Sequence, residues 1–241
     1  MACCRSAPDD AGYATPAALV FSLALALVGA AMVGRSVMAL RLSRADFERT
    51  RAEYDMAGAQ LAAAAAVVRS NVTGPYHWTF TTDGGWIDAI AEREADKLSL
   101  SAASVIADAT LADFGVKDPA ALKSRLADAQ ASNGQVVNLA SLDDADLWRA
   151  CAATMASPFG EQTTFTYQAP SEPGPGPKPA SWRIGETWRI RVTTTAGWRD
   201  DRIVRFTGDA RHPVAVVVRR VSRGEGDGGR CKDLFERLSA Q

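Results

Sequence analysis

The side chains best suited to nucleophilic, metal or redox chemistry are few: two histidines, His77 and His212, and four cysteines, Cys3, Cys4, Cys151 and Cys231. Chemistry built on imidazole therefore has little material to use. His77 lies among strand aromatics, Tyr76 and Trp78, as a surface strand residue would, and His212-Pro213 reads as a turn. No Ser/His/Asp set, GxSxG, HExxH or glycine-rich phosphate loop occurs. Asp143, Asp144 and Asp146 are spaced as oxygen ligands of a hard cation could be, and Glu225 and Asp227 form an acidic turn. Neither run has the about six ligands that calcium asks for, and capping or solvated acids account for both.

Cys151 and Cys231 admit two readings. In an oxidising compartment they bond, closing a long loop and stabilising the fold by about 3–4 kcal/mol. Alternatively Cys151, stacked with Leu147 and Met155 on an apolar helix face, is an inert buried thiol. Cys3 and Cys4 belong to a polar head and are candidates for lipidation, or for removal with that head. Asn71-Val-Thr73 fits a glycosylation acceptor, a tripeptide common by chance. Charge is balanced, with 27 Lys and Arg against 28 Asp and Glu. That balance offers no basic surface for a nucleic acid, so none is expected as a partner.

What positions these residues begins at the N-terminus. The head, residues 1–12, ends in Gly12 and abuts an apolar run starting at Tyr13 with no strong charge until Arg35. Ala14 to Gly34 gives roughly 31 Å of helix, which matches a bilayer core. A secretory signal would be shorter and would follow a basic region, so residues 13–35 are expected to be a retained transmembrane helix. Residues 36–70 continue it as an amphipathic rod in which Leu40, Phe47, Tyr54, Leu61 and Val68 recur every seven residues. That stripe suits packing on a sheet of the same chain or on neighbouring stems. Arg35, Arg41 and Arg44 follow the helix and oppose a periplasmic C-terminal side by the positive-inside rule. Long domains translocate despite such charge, and the bulk is expected in the periplasm.

Residues 71–100 are expected to form a hairpin, with Tyr76, Trp78 and Phe80 on one face and a turn at Asp83-Gly84-Gly85. A helical insertion, 101–157, follows. Ala103–Phe114 closes on Gly115, Asp118-Pro119 opens a second helix, and a capping box at Ser141–Asp144 opens a third. Residues 158–180 form a Pro/Gly-rich loop, 181–222 an antiparallel meander with Trp188, Ile190 and Val192 on its buried face, and 223–241 a tail. The alternating arginines of the meander are expected to be solvated. The fold class is α+β, a long N-terminal helix with an antiparallel sheet and a helical insertion, the layout of a pilin-type precursor.

The order of elements resembles the type II secretion minor pseudopilin family called general secretion pathway protein K. The junction Gly12-Tyr13-Ala-Thr-Pro-Ala-Ala-Leu-Val-Phe resembles its prepilin-peptidase site and stem. Glu94-Ala-Asp-Lys97-Leu-Ser-Leu-Ser resembles its strand-to-helix segment, and Val137-Asn138-Leu-Ala-Ser-Leu142 the entry to a later helix. Asp96-Lys97 stands where the family has Gly-Lys, and the head is acidic where leaders tend to be basic. The resemblance implies leader cleavage between Gly12 and Tyr13, methylation of the new N-terminus and residence in the inner membrane. It also implies partnership with minor and major pseudopilins, the prepilin peptidase, the inner-membrane secretion platform and membrane lipid. Ala17 occupies the fifth mature position, where most pilins carry a Glu that neutralises a neighbour's buried ammonium. The family lacks that Glu and sits at the fibre tip. Calcium binding is implied by the resemblance, with no site assigned, and no other cofactor is expected. An enzyme is not expected; a minor type IV or competence pilin is the alternative, ahead of a membrane-anchored enzyme or sensor using His77, Asp88 and Glu92.

Overall fold

A computed structural model describes residues 14–69, 74–132, 138–171, 184–209, 211–223 and 229–239. It divides into two units, residues 1–51 and 52–241. Helix α1 runs from Ala14 to Arg69 and crosses that division. In the first unit its large apolar side chains, from Leu19 to Phe47, are exposed.

In the second unit five strands form one antiparallel sheet in sequence order: β1 (Tyr76–Thr82), β2 (Gly85–Arg93), β3 (Thr187–Thr194), β4 (Trp198–Phe206) and β5 (Val214–Arg223). The hairpin turns where Asp83-Gly84-Gly85 predicts, and Gly85 takes a φ of 118° there. Hairpin and meander are not separate layers. β2 pairs with β3 in the register Ala91↔Ile190, although the whole insertion lies between them.

One face of the sheet packs on the last turns of α1. Ala52, Met56, Ala59, Ala63, Ala64 and Val67 meet Tyr76, Ile87, Ala89, Trp188, Ile190 and Phe206. The seven-residue stripe does not make this contact. Tyr54 is 76% exposed and Leu61 63%, and of that stripe only Val68 packs partly against the core. The reason is angular: at 100° per residue, position 54 lies about 200° from positions 52 and 56. Sheet aromatics already fill the interface, so alanines let the helix approach closely. Gln60, buried in the same face, donates from Nε2 to the carbonyls of Ile190 and Asp200, both at 2.9 Å.

The insertion builds a second core. Its helices are α2 (Leu100–Ala103), α3 (Asp108–Asp113), α4 (Pro119–Ala131) and α5 (Asp146–Met155). Asp118 caps α4, its Oδ1 accepting from the Ala121 amide at 2.9 Å, with Pro119 in the first turn. Two expectations give way. The segment predicted as one helix over 103–114 is two, closed at Gly115, whose φ is 77°. The capping box at Ser141–Asp144 does not form, because Ser141 sits in a 3₁₀ turn and donates back to the Asn138 carbonyl at 2.8 Å. Asp143 instead accepts from the Ala145 amide and α5 starts at Asp146. The predicted tail also contains a helix, α6 (Arg230–Ser239), with Leu234 and Phe235 buried against Leu111, Phe114 and Trp148. Residues 172–180 of the predicted Pro/Gly loop and the 71–73 tripeptide lie outside the described residues.

Candidate functional site

Two features carry function-bearing geometry, one in each unit. In the first, α1 is the one helix among the described residues long and apolar enough to cross a membrane. Its window has no buried residues, so nothing among the described residues covers this apolar surface. Leu40 and Phe47 belong to this exposed surface. Gly12 and Tyr13, the predicted cleavage junction, lie outside the described residues, as do Cys3 and Cys4.

The second feature lies on the other sheet face, where β2 hands the chain to the insertion. A 3₁₀ turn, Glu94–Asp96, follows β2 directly. It turns Glu94 inward and brings Lys97 back over it. Glu94 is fully buried; its Oε1 accepts from Lys97 Nζ at 2.7 Å and Arg189 Nε at 3.0 Å. Oε2 accepts from the Ser157 hydroxyl, supplied by the chain leaving α5. Lys97 Nζ also donates to the Ala153 carbonyl at 2.8 Å and lies 2.9 Å from Glu92 Oε2. Arg189 Nη1 reaches Asp201 Oδ2 at 3.2 Å, which links β4 to the set.

Electrostatics follow from this packing. Burial opposes ionisation of Glu94, but the Arg189 and Lys97 cations outweigh it and hold its carboxyl down at about 2. The same contest, against Lys97 and Arg191, lowers Glu92, and against Arg189 and Arg191 it lowers Asp201. Burial disfavours the Arg189 charge, yet Glu94 and Asp201 raise its pKa. Acids held ionised beside a Lys97 ammonium that bonds Glu94 and the Ala153 carbonyl and pairs with Glu92 make a fixed lock between sheet and insertion.

The segment returning from α5 wraps this lock closely. A Cβ on Gly160 would stand 2.2 Å from the Leu98 carbonyl oxygen and 2.6 Å from that of Lys97, both backbone atoms that cannot step aside. Gly160→Ala is therefore expected to destabilise the fold by about 2–3 kcal/mol through overpacking, read as a lowered urea midpoint with unchanged slope. Beside the lock opens a polar cleft of about 310 Å³, lined by Pro75, Glu92, Arg93, Thr164, Thr166 and Gln168 among others.

The remaining candidates fall as follows. Cys151 and Cys231 are bonded, with Cα atoms 5.3 Å apart, tying α5 to α6. Asp143, Asp144 and Asp146 do not converge: Asp144 pairs with Arg149 at 2.6 Å, and Asp143 lies 3.9 Å from Arg125. No group of three or more His, Cys, Asp or Glu placed to hold a metal occurs among the described residues. His77 Nε2 lies 3.3 Å from Asp88 Oδ1, both partly exposed, and Thr79 donates to the same oxygen. His212 is an exposed turn residue near Asp209. The expectation that the meander arginines are solvated is wrong for Arg189, which is 7% exposed. Its burial follows from the insertion, which leaves at β2, returns at β3 and covers that end of the sheet.

No protein-family model, no curated protein and no solved structure matches this chain.

Proposed function

We propose that this chain is a minor pseudopilin of a type II protein secretion system, stored in the inner membrane by a single-pass stem with its bulk in the periplasm. From there it enters a short periplasmic fibre at or beneath the tip. The observation that carries the reading is α1: one helix that presents bare apolar side chains over its early turns and buries its last turns on an antiparallel sheet. A protein needs such a stem when the early part meets lipid first and other stems later. Leu40, Phe47, Tyr54 and Leu61 are exposed and offer apolar surface to neighbouring stems. The alternative, a minor type IV or competence pilin, shares the stem; the insertion between β2 and β3 favours the secretion reading. On this reading the partners are other minor and major pseudopilins, the prepilin peptidase, the secretion platform and lipid, and the role is structural, without catalysis or cofactor.

Mass spectrometry of the protein from native membranes tests it. The expected N-terminus is N-methylated Tyr13, and Gly12→Leu should leave the head attached and block assembly into the fibre. An intact Met1 start in the wild type, or normal fibres from the Gly12 variant, would overturn the reading.

A further inference from the structure

The apolar surface of α1 does not end at its first charge. Past Arg35, the side chains of Val37, Met38, Leu40 and Leu42 are all exposed, so exposed large apolar residues run from Leu19 to Leu42. Leu19 to Met38 alone gives about 30 Å of helix, the thickness of a bilayer core. A span over those residues puts Arg41 and Arg44 at headgroup level. Between Asp10 and Asp46 the chain has no acid, and Arg35, Arg41 and Arg44 are its only charges. The next turns reverse the balance, with Asp46, Glu48, Glu53 and Asp55 against Arg49 and Arg51. Positive charge is thus concentrated where the apolar surface ends.

Position on the helix says which charges act together. At 100° per residue, Val33, Val37, Arg41 and Arg44 fall within about 80° of one another, while Arg35 lies on the opposite side. Along the axis Val33 and Arg41 are about 12 Å apart. Helical side chains lean toward the N-terminus of their helix, so the guanidinium groups of Arg41 and Arg44, one turn apart, reach back toward the apolar segment. All four residues are exposed, and neither arginine has a hydrogen bond or ion pair with another described residue. One face therefore carries two apolar side chains followed by two unpaired cations.

We propose that Arg41 and Arg44 together hold the phosphate of one anionic phospholipid, whose acyl chains lie along Val33 and Val37. The apolar surface on the same face says what surrounds it, and the arginines say which lipid is kept. Two guanidinium groups with no acid beside them favour a headgroup whose phosphate charge is not offset by an ammonium of its own. The net acidic turns from Asp46 onward are repelled by the same surface, which fixes the depth of the stem. The inference rests on the membrane part of the reading above, not on the fibre, and holds whichever side of the bilayer the sheet occupies.

The test uses the full-length protein with Val37→Trp, which sets a fluorescent reporter on this face. Its emission is read as the difference from the wild type, whose six tryptophans begin at Trp78. The protein is reconstituted in phosphatidylcholine vesicles holding a minor share of acyl-brominated phosphatidylglycerol or acyl-brominated phosphatidylcholine as quencher. The phosphatidylglycerol quencher should associate at least about fivefold more tightly. Adding Arg41→Gln/Arg44→Gln should bring the two quenchers to parity. Arg41→Lys/Arg44→Lys should keep most of the preference, and Arg49→Gln/Arg51→Gln should leave it unchanged. Equal quenching with both arginines in place, or a preference that survives their change to Gln, overturns the proposal and leaves the stem in the bilayer. A preference abolished by inorganic phosphate at constant ionic strength assigns the pair to the free anion and overturns it too. Quenching by neither lipid overturns the membrane reading, and this inference with it. If the Gln pair does not insert, the comparison of the two quenchers with Arg41 and Arg44 in place decides.

Discussion

Glu94→Gln is expected to lower the unfolding free energy by about 3–5 kcal/mol, the cost of taking one partner out of a buried ion pair. The substitution keeps shape and volume, so packing is not what is lost. Lys97 and Arg189, both nearly inaccessible, would be left to share Glu92 and Asp201. The new amide N–H₂ would face donors on one side or the Ser157 hydroxyl on the other. Fluorescence of the fully buried Trp148 and Trp188 reports the urea transition. A loss below about 1 kcal/mol would mean that the cluster is wet and worth no more than a surface pair. The same residue sets the acid limb of stability. Its folded pKa of about 2 lies below the ordinary 4.5, so its contribution is complete above pH 4.5. That contribution is lost as pH falls from there toward 2, about 3 kcal/mol across the window at 1.36 kcal/mol per unit. Glu92 and Asp201 shift in the same direction and steepen the fall. In Glu94→Gln the acid limb should flatten, which a purely steric defect would not produce.

The sequence made some of this visible and hid the rest for identifiable reasons. Local chemistry was legible: Gly85 at a turn needing positive φ, Asp118 capping α4 with Pro119 behind it, and the alternation Trp188, Ile190, Val192 on a buried face. What failed was choosing between competing periods and competing bonds. Leu40, Phe47, Tyr54 and Leu61 draw the eye because they are large, yet the sheet-facing stripe is Ala52, Met56, Ala59, Ala63 and Val67, which follows the true helical period with small residues. Ser141 could cap a helix or satisfy a 3₁₀ turn, and nothing local decides between them. α6 was readable from Cys231, Leu234, Phe235 and Leu238 at i, i+3, i+4 and i+7. The ion lock was the least legible. Glu94 and Lys97 are three apart, but Arg189 is 95 residues from Glu94, and its burial depends on where the insertion lands.

Breaking Cys151–Cys231 is expected to cost about 4 kcal/mol, because the bond closes an 80-residue separation and the unfolded chain regains that loop's freedom. The loss should not be uniform. α6 has ten residues, too few to persist as a helix alone. Besides the sulfur bond its apolar anchors include Leu234, Leu238 and the Phe235 ring, which lies 4.9 Å from Phe165, 5.2 Å from Tyr167 and 6.0 Å from Phe114. Those contacts keep α6 docked most of the time but no longer covalently, so local opening becomes cheaper than global unfolding. Amides of 230–239 in Cys151→Ala/Cys231→Ala should therefore lose exchange protection first, while those of β3 and β4 keep theirs. The urea midpoint of the wild type should fall to that of the variant on adding reductant. A midpoint indifferent to reductant would show that the two sulfurs are not joined in the protein and that Cys151 serves as a buried apolar residue instead. In that case the anchoring of α6 would rest on its apolar face, Cys231, Leu234, Phe235 and Leu238, and Phe235→Ala should weaken it further.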